Sequence, residues 1–377
     1  MKKIKTFTKN FLIKNQIRRN KKKYKQKIKE LNKGFPNYIK DQVYSDHLKK
    51  WQVFDKRLTG EWLAAYSRVN GEYHPGYVPE SIYYSFIEPV LNDYEHCKSY
   101  SDKNFYDLIY SEEIFPNTLI RSIKQSLYDR LYNPIVSFCN HLDDLKFEYD
   151  ELILKPSIDS GGGVDVMLFQ LWEGEYVNSD EKIVLNEDFL KTRYKSNFVI
   201  QEKLKSHPDL AKFNPSSLNT VRVLTYRSVV TNEIIVLNSV LRVGAEGAVV
   251  DNSRAGGVAI GVDSKGRLNN YATDKKGNKK LQLNGHQLSR DYFIPKYGEI
   301  MQHSKVIAHK NIHHRLLGLD MVVDEKGDIK CVEVNNKGNE INFFQFNNGP
   351  LFRDYTAEIR EYCYENISNL YRYYEWS

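Results

Sequence analysis

The chain of 377 residues has a formal net charge of +7, with 41% hydrophobic and 13% aromatic residues. This composition excludes an intrinsically disordered protein, and the length allows two or three packed units with cores of their own. No run approaches 18 consecutive apolar residues, and the four cysteines form no CxxC pair, so we expect neither a transmembrane helix nor a zinc or disulfide framework. The basic N-terminus lacks the apolar segment of a secretory signal, so we expect a cytoplasmic protein with reduced thiols.

Residues 1–29 form a basic arm that holds 13 Lys/Arg and no acid, which leaves the rest of the chain at −6, the difference between +7 and +13. The arm shows only a weak helical stripe at Ile4, Phe7 and Phe11. We favour a solvated, partly helical extension that is peripheral to the chemistry. The alternative is an electrostatic contact with an anionic membrane at its inner face. Nucleic acid is not an expected partner, because no basic and aromatic platform of a known module is present.

Three stretches follow the arm. Residues 30–100 are predicted to be mainly helical, with a Gly- and Pro-containing loop at GEYHPGYVPES. Residues 101–200 mix helix and strand, with a predicted helix over RSIKQSLYDRLYNPIVSFCNHL, residues 121–142, and a predicted strand at ELILKP. From residue 198 strands dominate: NFVIQEKL, NTVRVLTYRSVV, EIIVLNSVLRVG, GVAIGVD, LLGLDMVVD and DIKCVEVNN. Residues 351–377 are predicted to form a closing helix.

The segment ELILKPSIDSGGGVDV contains a strand, a lysine and a triple-glycine loop. Glycines let backbone N–H groups approach a ligand closely, as in loops that bind phosphate, and Lys155 would stand at the end of the strand. A surface turn with an exposed lysine explains the pattern equally well, since it matches neither established glycine-rich phosphate motif. In NFVIQEKL, Glu202 and Lys203 follow an apolar strand, which suits either an ordinary strand exit or a purine site at free backbone groups.

The hairpin GLDMVVDEKGDIKCVEVNN, residues 318–336, carries oxygen-bearing side chains where a buried strand should be apolar. Asp320 lies in its first strand, and Glu333 and Asn335 lie two apart in the second, so these two point to the same face. Such a set suits Mg²⁺ with phosphate oxygens completing the coordination. A buried ion-pair network with lysines is the alternative, because an unpartnered carboxylate pair would be costly to bury.

The spacing Asp320-x12-Glu333-x-Asn335 resembles the metal-binding signature of the ATP-grasp superfamily, such as the D-alanine–D-alanine ligases and the ribosomal-protein glutamate ligases. Further segments resemble that superfamily in the same order: SDKNFYDLIYSEEIFPNTLI, LILKPSIDSGGGVDV, FVIQEKL, and VLRVG followed by VDNSRAGG. The match covers roughly residues 101–350. VPESIYYSFIEPVLN, PSSLNTVRVLTY and EVNNKGNE resemble in particular the sugar-transfer-associated ATP-grasp group, which is linked to bacterial surface-polysaccharide genes.

The resemblance implies a role for each matching residue. ATP phosphates would be contacted by Lys103 and Lys155 and covered by a lid of Ser160, Gly161, Gly162 and Gly163. Adenine would be lined by Gln201, Glu202, Lys203 and Leu204. Arg222 and Arg242 would neutralise the charge of the transferred phosphate and of the developing oxyanion, and Asn252 would assist at the same place. For all three, an ordinary surface position is the alternative. One or two Mg²⁺ ions would be held by Asp320, Glu333 and Asn335.

The implied fold is an α+β ATP-grasp fold, in which two subdomains, 101–200 and 201–350, clasp the nucleotide. The implied function is an ATP- and Mg²⁺-dependent ligase that activates a carboxylate as an acyl phosphate for attack by an amine. A sugar or sugar precursor for a cell-surface polysaccharide would be one substrate. Two alternatives stay open: a kinase that phosphorylates a sugar-like hydroxyl, and a non-catalytic nucleotide-binding assembly protein.

The sequence departs from the superfamily pattern in two places. A carboxylate that binds ribose usually precedes the strand after the adenine segment, but here that position is occupied by Asn219, and the only nearby acid is Asp209. The segment EVNNKGNE also lacks the proline that peptide ligases commonly carry after the metal pair. An amino-acid acceptor therefore does not follow from the resemblance.

Overall fold

The computed structural model describes residues 2–35, 41–110, 112–158, 163–245, 247 and 256–370. In these residues a helical N-terminal region precedes two seven-stranded sheets whose neighbouring strands are all antiparallel. No helix in this part of the chain is long and apolar enough to cross a bilayer.

The N-terminal region is helical, as the sequence predicts. Its helices are α1 (Lys2–Leu31), α2 (Gln42–Trp51), α3 (Glu61–Asn70), α4 (Glu80–Ile82), α5 (Glu88–Leu91) and α6 (Cys97–Ser101), with a π-helical turn at Tyr83–Ile87 between α4 and α5. Asp41 caps α2 by accepting a hydrogen bond from the backbone N–H of Tyr44 at 3.0 Å. Gly71 ends α3 in the left-handed conformation, with φ of 84°, which glycine adopts without steric cost.

Helix α1 is not the solvated arm that the sequence suggested. Tyr24, Ile28 and Leu31 are 5%, 2% and 7% exposed and share a core with α3, while Ile13 and Ile17 are partly buried against a second core. These five residues recur at helical spacing, which places them on one face of α1. Lysines lie between and beside these residues along the helix, so a strongly basic segment still supplies an apolar face to the protein.

The first sheet contains the predicted strands at residues 151–156 and 198–202. Its strands are β1 (Thr118–Ile123), β2 (Ser126–Tyr128), β3 (Glu151–Pro156), β4 (Met167–Trp172), β5 (Glu175–Asn178), β6 (Ile183–Val184) and β7 (Phe198–Glu202), in the order β2-β1-β7-β3-β4-β5-β6. Helices α7 (Tyr106–Ile109), α8 (Phe138–Leu145) and α9 (Glu187–Arg193) lie in the same part of the chain. Apolar residues of α8 and α9, such as Phe138 and Leu190, complete the core against this sheet.

The helix predicted over residues 121–142 is wrong. The chain forms the β1–β2 hairpin there, with Arg121 paired to Tyr128, and helix begins only at Phe138. Lys124 and Gln125 form the tip of the hairpin with φ angles of 49° and 73°. A tight hairpin needs such left-handed residues, and they are usually Gly, Asn or Asp, so the turn carried no signal in the sequence.

The second sheet holds most of the predicted strands. They are β8 (Thr220–Arg227), β9 (Ile234–Val243), β10 (Val258–Val262), β11 (Leu268–Thr273), β12 (Lys279–Lys280), β15 (Leu316–Val323) and β16 (Ile329–Asn335), in the order β12-β11-β10-β9-β8-β15-β16. A separate small hairpin joins β13 (Gln282–Leu283) to β14 (His286–Gln287). The helices are α10 (Pro208–Ala211), α11 (Tyr297–Lys310), α12 (Ile341–Asn348) and α13 (Thr356–Glu365).

Helices cover both faces of this second sheet. On one face, Ile300 and Ile307 of α11 pack with the strands. On the other face, Phe343 and Phe344 of α12 pack with the strands and with the N-terminal helices. This double coverage explains why every residue of β15 is buried, and why a polar residue in that strand, Asp320, requires specific partners.

Candidate active site

The β15–β16 hairpin brings the predicted acidic residues together. Asp320 lies opposite Glu333 of β16 on one side and opposite Arg222 of β8 on the other. Residues directly opposed in antiparallel strands point to the same face of the sheet, so these three side chains stand in a row. Asn335 is two residues beyond Glu333 and faces the same way. The strand pairing is irregular between Asp320 and Met321, immediately after this row.

Two arginines converge on the Asp320 carboxylate. The Arg222 side chain donates from Nε to Oδ1 and from Nη2 to Oδ2, the second at 2.8 Å. Arg242, from β9, donates from Nη1 to both oxygens at 3.3 and 3.4 Å. The Asn335 Nδ2 lies 3.4 Å from Oδ2. Burial alone would raise the pKa of Asp320, but the two guanidinium groups hold it below its usual value, so the carboxylate is ionised.

Glu333 faces a lysine from the first half of the chain. The Lys103 Nζ donates to the Glu333 Oε1 at 3.1 Å, and the Lys103 side chain is only 5% exposed. Burial would raise the pKa of Glu333, whereas the Lys103 ammonium lowers it below its usual value. Lys103 begins a short 3-10 helix after Asp102, and its backbone N–H donates to the Ser157 carbonyl oxygen, just after β3. This bond ties Lys103 to the strand that carries Lys155.

Lys155 lies near the end of β3, as the sequence predicts, and is partly buried. Burial and the nearby positive charge of Lys103 lower the pKa of Lys155 to about 7. An ammonium group held in such a place is stabilised most by a ligand that brings negative charge.

A cavity of about 1270 Å³ connects these residues and is lined by strands of both sheets. Its lining includes both lysines, both arginines, all three residues of the predicted metal set, and Gly163 with its left-handed φ of 69°. Ser160, Gly161, Gly162 and Asn252 lie outside the described residues. The structure thus brings together every described member of the predicted site, across segments separated by more than 200 positions in the sequence.

The predicted adenine segment also borders this cavity. Gln201, Glu202, Lys203 and Leu204 all contribute to its lining. The Gln201 side chain donates to Thr118 Oγ1 at 2.9 Å, and the Glu202 carboxylate accepts from the backbone N–H of Asn117 at 2.8 Å. Because those two side chains bind within the protein, backbone groups are the natural ligand contacts here.

The two candidates for ribose binding do not line the cavity among the described residues. Asn219 is fully buried, and its Nδ2 donates to the carbonyl oxygens of Leu210 and Asn214 at 2.9 and 3.0 Å. It therefore holds the 206–219 segment in shape. Asp209 is exposed on α10. The carboxylate expected before β8 has been replaced by a structural amide, and Leu218 and Thr220 reach the cavity instead.

Sequence reasoning missed the N-terminal helices as part of this cavity. Its lining includes Asn20, Lys23, Tyr24, Lys27 and Leu31 of α1, together with Arg68, Glu80, Tyr84 and Glu88 from the helices that follow. The α1 residues in this list recur at helical spacing, which the sequence shows. That the face they form lines the cavity is visible only in the folded structure.

Glu88 fixes the loop that follows the metal-site strand. It is 2% exposed and accepts hydrogen bonds from the Tyr94 hydroxyl at 2.7 Å and from the backbone N–H of Gly338 at 2.9 Å. Burial raises the pKa of Glu88. The EVNNKGNE segment, which lacks the usual proline, is therefore held by a carboxylate from the N-terminal region, in the VPESIYYSFIEPVLN segment.

The donor set fits Mg²⁺ by its chemistry. Two ionised carboxylates from paired strand positions and an amide two residues further along line the same cavity, and hard oxygen ligands are those that Mg²⁺ prefers. In this structure cationic side chains neutralise both carboxylates, so the ion-pair network considered from the sequence is present. An incoming ion would take over part of that role from Lys103 and the arginines.

The family model described as sugar-transfer associated ATP-grasp matches residues 84–361. A search of curated proteins found no match. Among solved structures, D-alanyl-alanine synthetase A from Vibrio cholerae O1 is similar at 12% identity, 73% of this chain, 66% of that chain and a TM-score of 0.40. L-amino acid ligase from Bacillus licheniformis is similar at 12% identity, over 70% of this chain and 47% of that chain, with a TM-score of 0.36. N5-carboxyaminoimidazole ribonucleotide synthetase from Thermotoga maritima is similar at 12% identity, over 64% of this chain and 42% of that chain, with a TM-score of 0.33. This chain therefore spans less than half of that protein's length.

Proposed function

We propose that this chain, which belongs to the sugar-transfer associated ATP-grasp family, is an ATP- and Mg²⁺-dependent carboxylate–amine ligase. Membership of the family confirms the fold predicted from the sequence motifs. It would phosphorylate a carboxylate to an acyl phosphate, which an amine then attacks to give an amide, ADP and phosphate. The described active-site residues include no nucleophile paired with a base, and this reaction needs none, because phosphoryl transfer depends mainly on positioning and charge neutralisation.

One observation carries the proposal: the balance of charge at the hairpin. Four basic side chains, Lys103, Lys155, Arg222 and Arg242, surround two carboxylates in one cavity. Once Lys155 is protonated, which a bound triphosphate favours, the excess of two positive charges complements the net charge of about −2 that Mg²⁺ and a fully ionised ATP carry together. A purely structural ion-pair network would be expected to balance, since excess buried charge costs stability.

The chain's residues would divide the work as follows. Asp320, Glu333 and Asn335 would hold Mg²⁺, which bridges phosphate oxygens and neutralises their charge when it is bound. Lys103 and Lys155 would draw charge from the transferred phosphate. Arg222 and Arg242 would stabilise charge that develops during transfer, since a guanidinium fork matches phosphate and carboxylate oxygens. The loop around Gly163 would close over the phosphates and keep water from the intermediate.

We further propose that one substrate is a sugar or sugar precursor used in a bacterial cell-surface polysaccharide. The description of the family supports this assignment. The cavity is larger than the range of about 300–1,000 Å³ that is usual for a single small ligand, which leaves room for a second substrate beside the nucleotide. We place the reaction in the cytoplasm, and we propose a peripheral contact between the basic residues of the 1–29 segment and anionic lipid at the inner face of the membrane.

Trapping of the intermediate tests the ligase reaction. The protein is incubated with Mg·ATP, hydroxylamine and, one at a time, a panel of uronic acids and amino acids. The proposal predicts that one acid yields ADP, phosphate and a hydroxamate in equal amounts. If instead a sugar hydroxyl becomes stably phosphorylated without release of free phosphate, the protein is a kinase. If ADP forms with no member of the panel, and Mg·ATP does not bind, the enzymatic assignment fails.

A further inference from the structure

One face of α1 forms part of the cavity. Asn20, Lys23, Tyr24, Lys27 and Leu31, here called the α1 stripe, recur at intervals of three or four residues and all line it. Lys22 and Lys25 lie on the same helix, are exposed, and are not among the lining residues. The basic segment is therefore divided into lysines that face the cavity and lysines that do not.

Buried contacts hold the α1 stripe in place. Tyr24 stacks on Tyr84, with ring centroids 5.3 Å apart and an interplanar angle of 11°. The Lys27 Nζ lies 2.7 Å from the Glu80 Oε1, and Glu80, which is 4% exposed, also accepts from the Asn342 Nδ2 at 3.1 Å. This chain of contacts connects α1 through α4 to α12, directly after the loop that follows the metal-site strand. Such a network defines a fixed surface.

The end of α1 is anchored as well. Arg68 of α3 donates from Nη2 to the Leu31 carbonyl oxygen at 2.7 Å and from Nη1 to the Asn32 Oδ1 at 2.8 Å. Arginine at this place satisfies a carbonyl that the helix end leaves without an intrahelical partner, and its charge suits the negative end of the helix dipole. The position of Lys33, two residues beyond α1, is therefore set by the same contact.

This part of the cavity is positively charged. The basic side chains that line it are Lys23, Lys27, Lys33, Arg68, Lys275, Lys276 and Lys337. Four acidic residues also line it: Glu80 pairs with Lys27, Glu88 is buried beneath several donors, and Glu30 and Glu340 complete the set. Seven basic groups against four acidic ones leave an excess of positive charge, and none of it belongs to the four basic residues assigned above to ATP and to the phosphoryl transfer.

We propose that the α1 stripe and its neighbouring lysines bind an anionic group, a phosphate or a carboxylate, on the second substrate. This group is distinct from the carboxylate that becomes activated, and it orients a sugar-sized substrate beside the nucleotide. The inference rests on the proposed function, because that function assigns the hairpin to Mg·ATP. It makes the N-terminal helix part of the substrate site.

Calorimetric titration of the full chain tests this assignment. The protein is first saturated with Mg·AMP-PNP, so that the nucleotide site is filled. Glucuronic acid 1-phosphate is then titrated, with glucose 1-phosphate and glucuronic acid as separate arms that tell phosphate from carboxylate recognition. The double variant Lys23→Ala/Lys33→Ala is compared with the matched control Lys22→Ala/Lys25→Ala, in which two exposed lysines of α1 are removed.

We expect at least one of these sugar anions to bind the nucleotide complex, and to bind about tenfold more weakly in the Lys23→Ala/Lys33→Ala variant, which corresponds to the loss of one charge-assisted contact. The matched control should bind as the unmodified protein does, and Lys23→Arg in place of Lys23→Ala should restore part of the affinity. Equal weakening in both double variants would show a general charge effect and overturn the proposal. Failure of all three anions to bind the nucleotide complex would also overturn it, whereas failure of Mg·AMP-PNP itself to bind would overturn the proposed function.

Discussion

Binding of Mg·ATP should be accompanied by proton uptake at Lys155. The free protein holds the pKa of Lys155 at about 7, because the side chain is partly buried and lies near the positive charge of Lys103. A triphosphate beside it supplies the negative charge that the free site lacks and should restore the pKa to its ordinary value, about 10.4. A group whose pKa rises on binding takes up protons at every pH between its two pKa values.

The size of the effect follows from the free-state pKa. A group of pKa 7 is about half protonated at pH 7 and about one tenth protonated at pH 8, so binding should take up about 0.5 proton at pH 7 and about 0.9 at pH 8. Below pH 6 the lysine is already charged, and uptake should vanish. The number of protons taken up on binding should therefore increase as the pH rises from 6 to 8.

Titration calorimetry in buffers of different ionisation enthalpy measures this uptake directly. The observed binding enthalpy is plotted against the buffer's ionisation enthalpy, and the slope gives the number of protons. Excess Mg²⁺ keeps the nucleotide itself deprotonated. Lys155→Arg is the matched control, since arginine stays charged in both states and should bind without uptake at either pH. A slope near zero for the unmodified protein at pH 8, or the same slope for the arginine variant, would refute the assignment of Lys155 to the phosphates.

Three further results are expected. Glu333→Gln should abolish Mg²⁺-dependent ATP turnover while the far-UV circular dichroism spectrum stays that of Glu325→Gln, a control in the exposed β15–β16 turn, and turnover that survives in the first variant would remove Glu333 from the metal site. Arg242→Ala should lower kcat about 100-fold but change the Kd of Mg·AMP-PNP only slightly, because its charge is needed most in the transition state; equal losses in both would make it an ordinary binding residue. Ile28→Ala should lower the free energy of unfolding by about 2–4 kcal/mol in a denaturant titration, since its side chain is 2% exposed in the core beneath α1, and a loss below about 0.5 kcal/mol would restore the picture of a solvated arm.

The second sheet and its hairpin could be predicted because their signals are local. Buried strands such as β8 and β15 are short apolar runs bounded by polar turns, and Asp320 is visible as an exception within one of them. No single motif identified the family, but the order of several weak motifs along the chain indicated the ATP-grasp fold. The pairing of Asp320 with both Arg222 and Glu333 follows from strand order in the sheet, which the sequence does not state.

The errors arose where the decisive contact is distant or the local pattern misleads. Ile123, Leu127, Leu131 and Ile135 recur every four residues, as in a helix, yet the first two lie in a hairpin and Leu131 is 74% exposed. In α1 the apolar residues are diluted by lysines, and the partner of Lys27 is Glu80, 53 positions away. Composition alone assigns such a segment to solvent, and only the fold supplies the surface that it covers.

Isotope transfer from the acid to phosphate tests the central claim most directly. The acid identified by hydroxamate trapping is labelled with ¹⁸O in both carboxylate oxygens and is converted to amide with unlabelled Mg·ATP and an amine. If the carboxylate attacks the γ-phosphate and the amine then displaces the phosphate, each phosphate released must carry one ¹⁸O atom, and the amide must keep the other. Released phosphate without label, or a stable phosphate ester in place of released phosphate, would contradict the account.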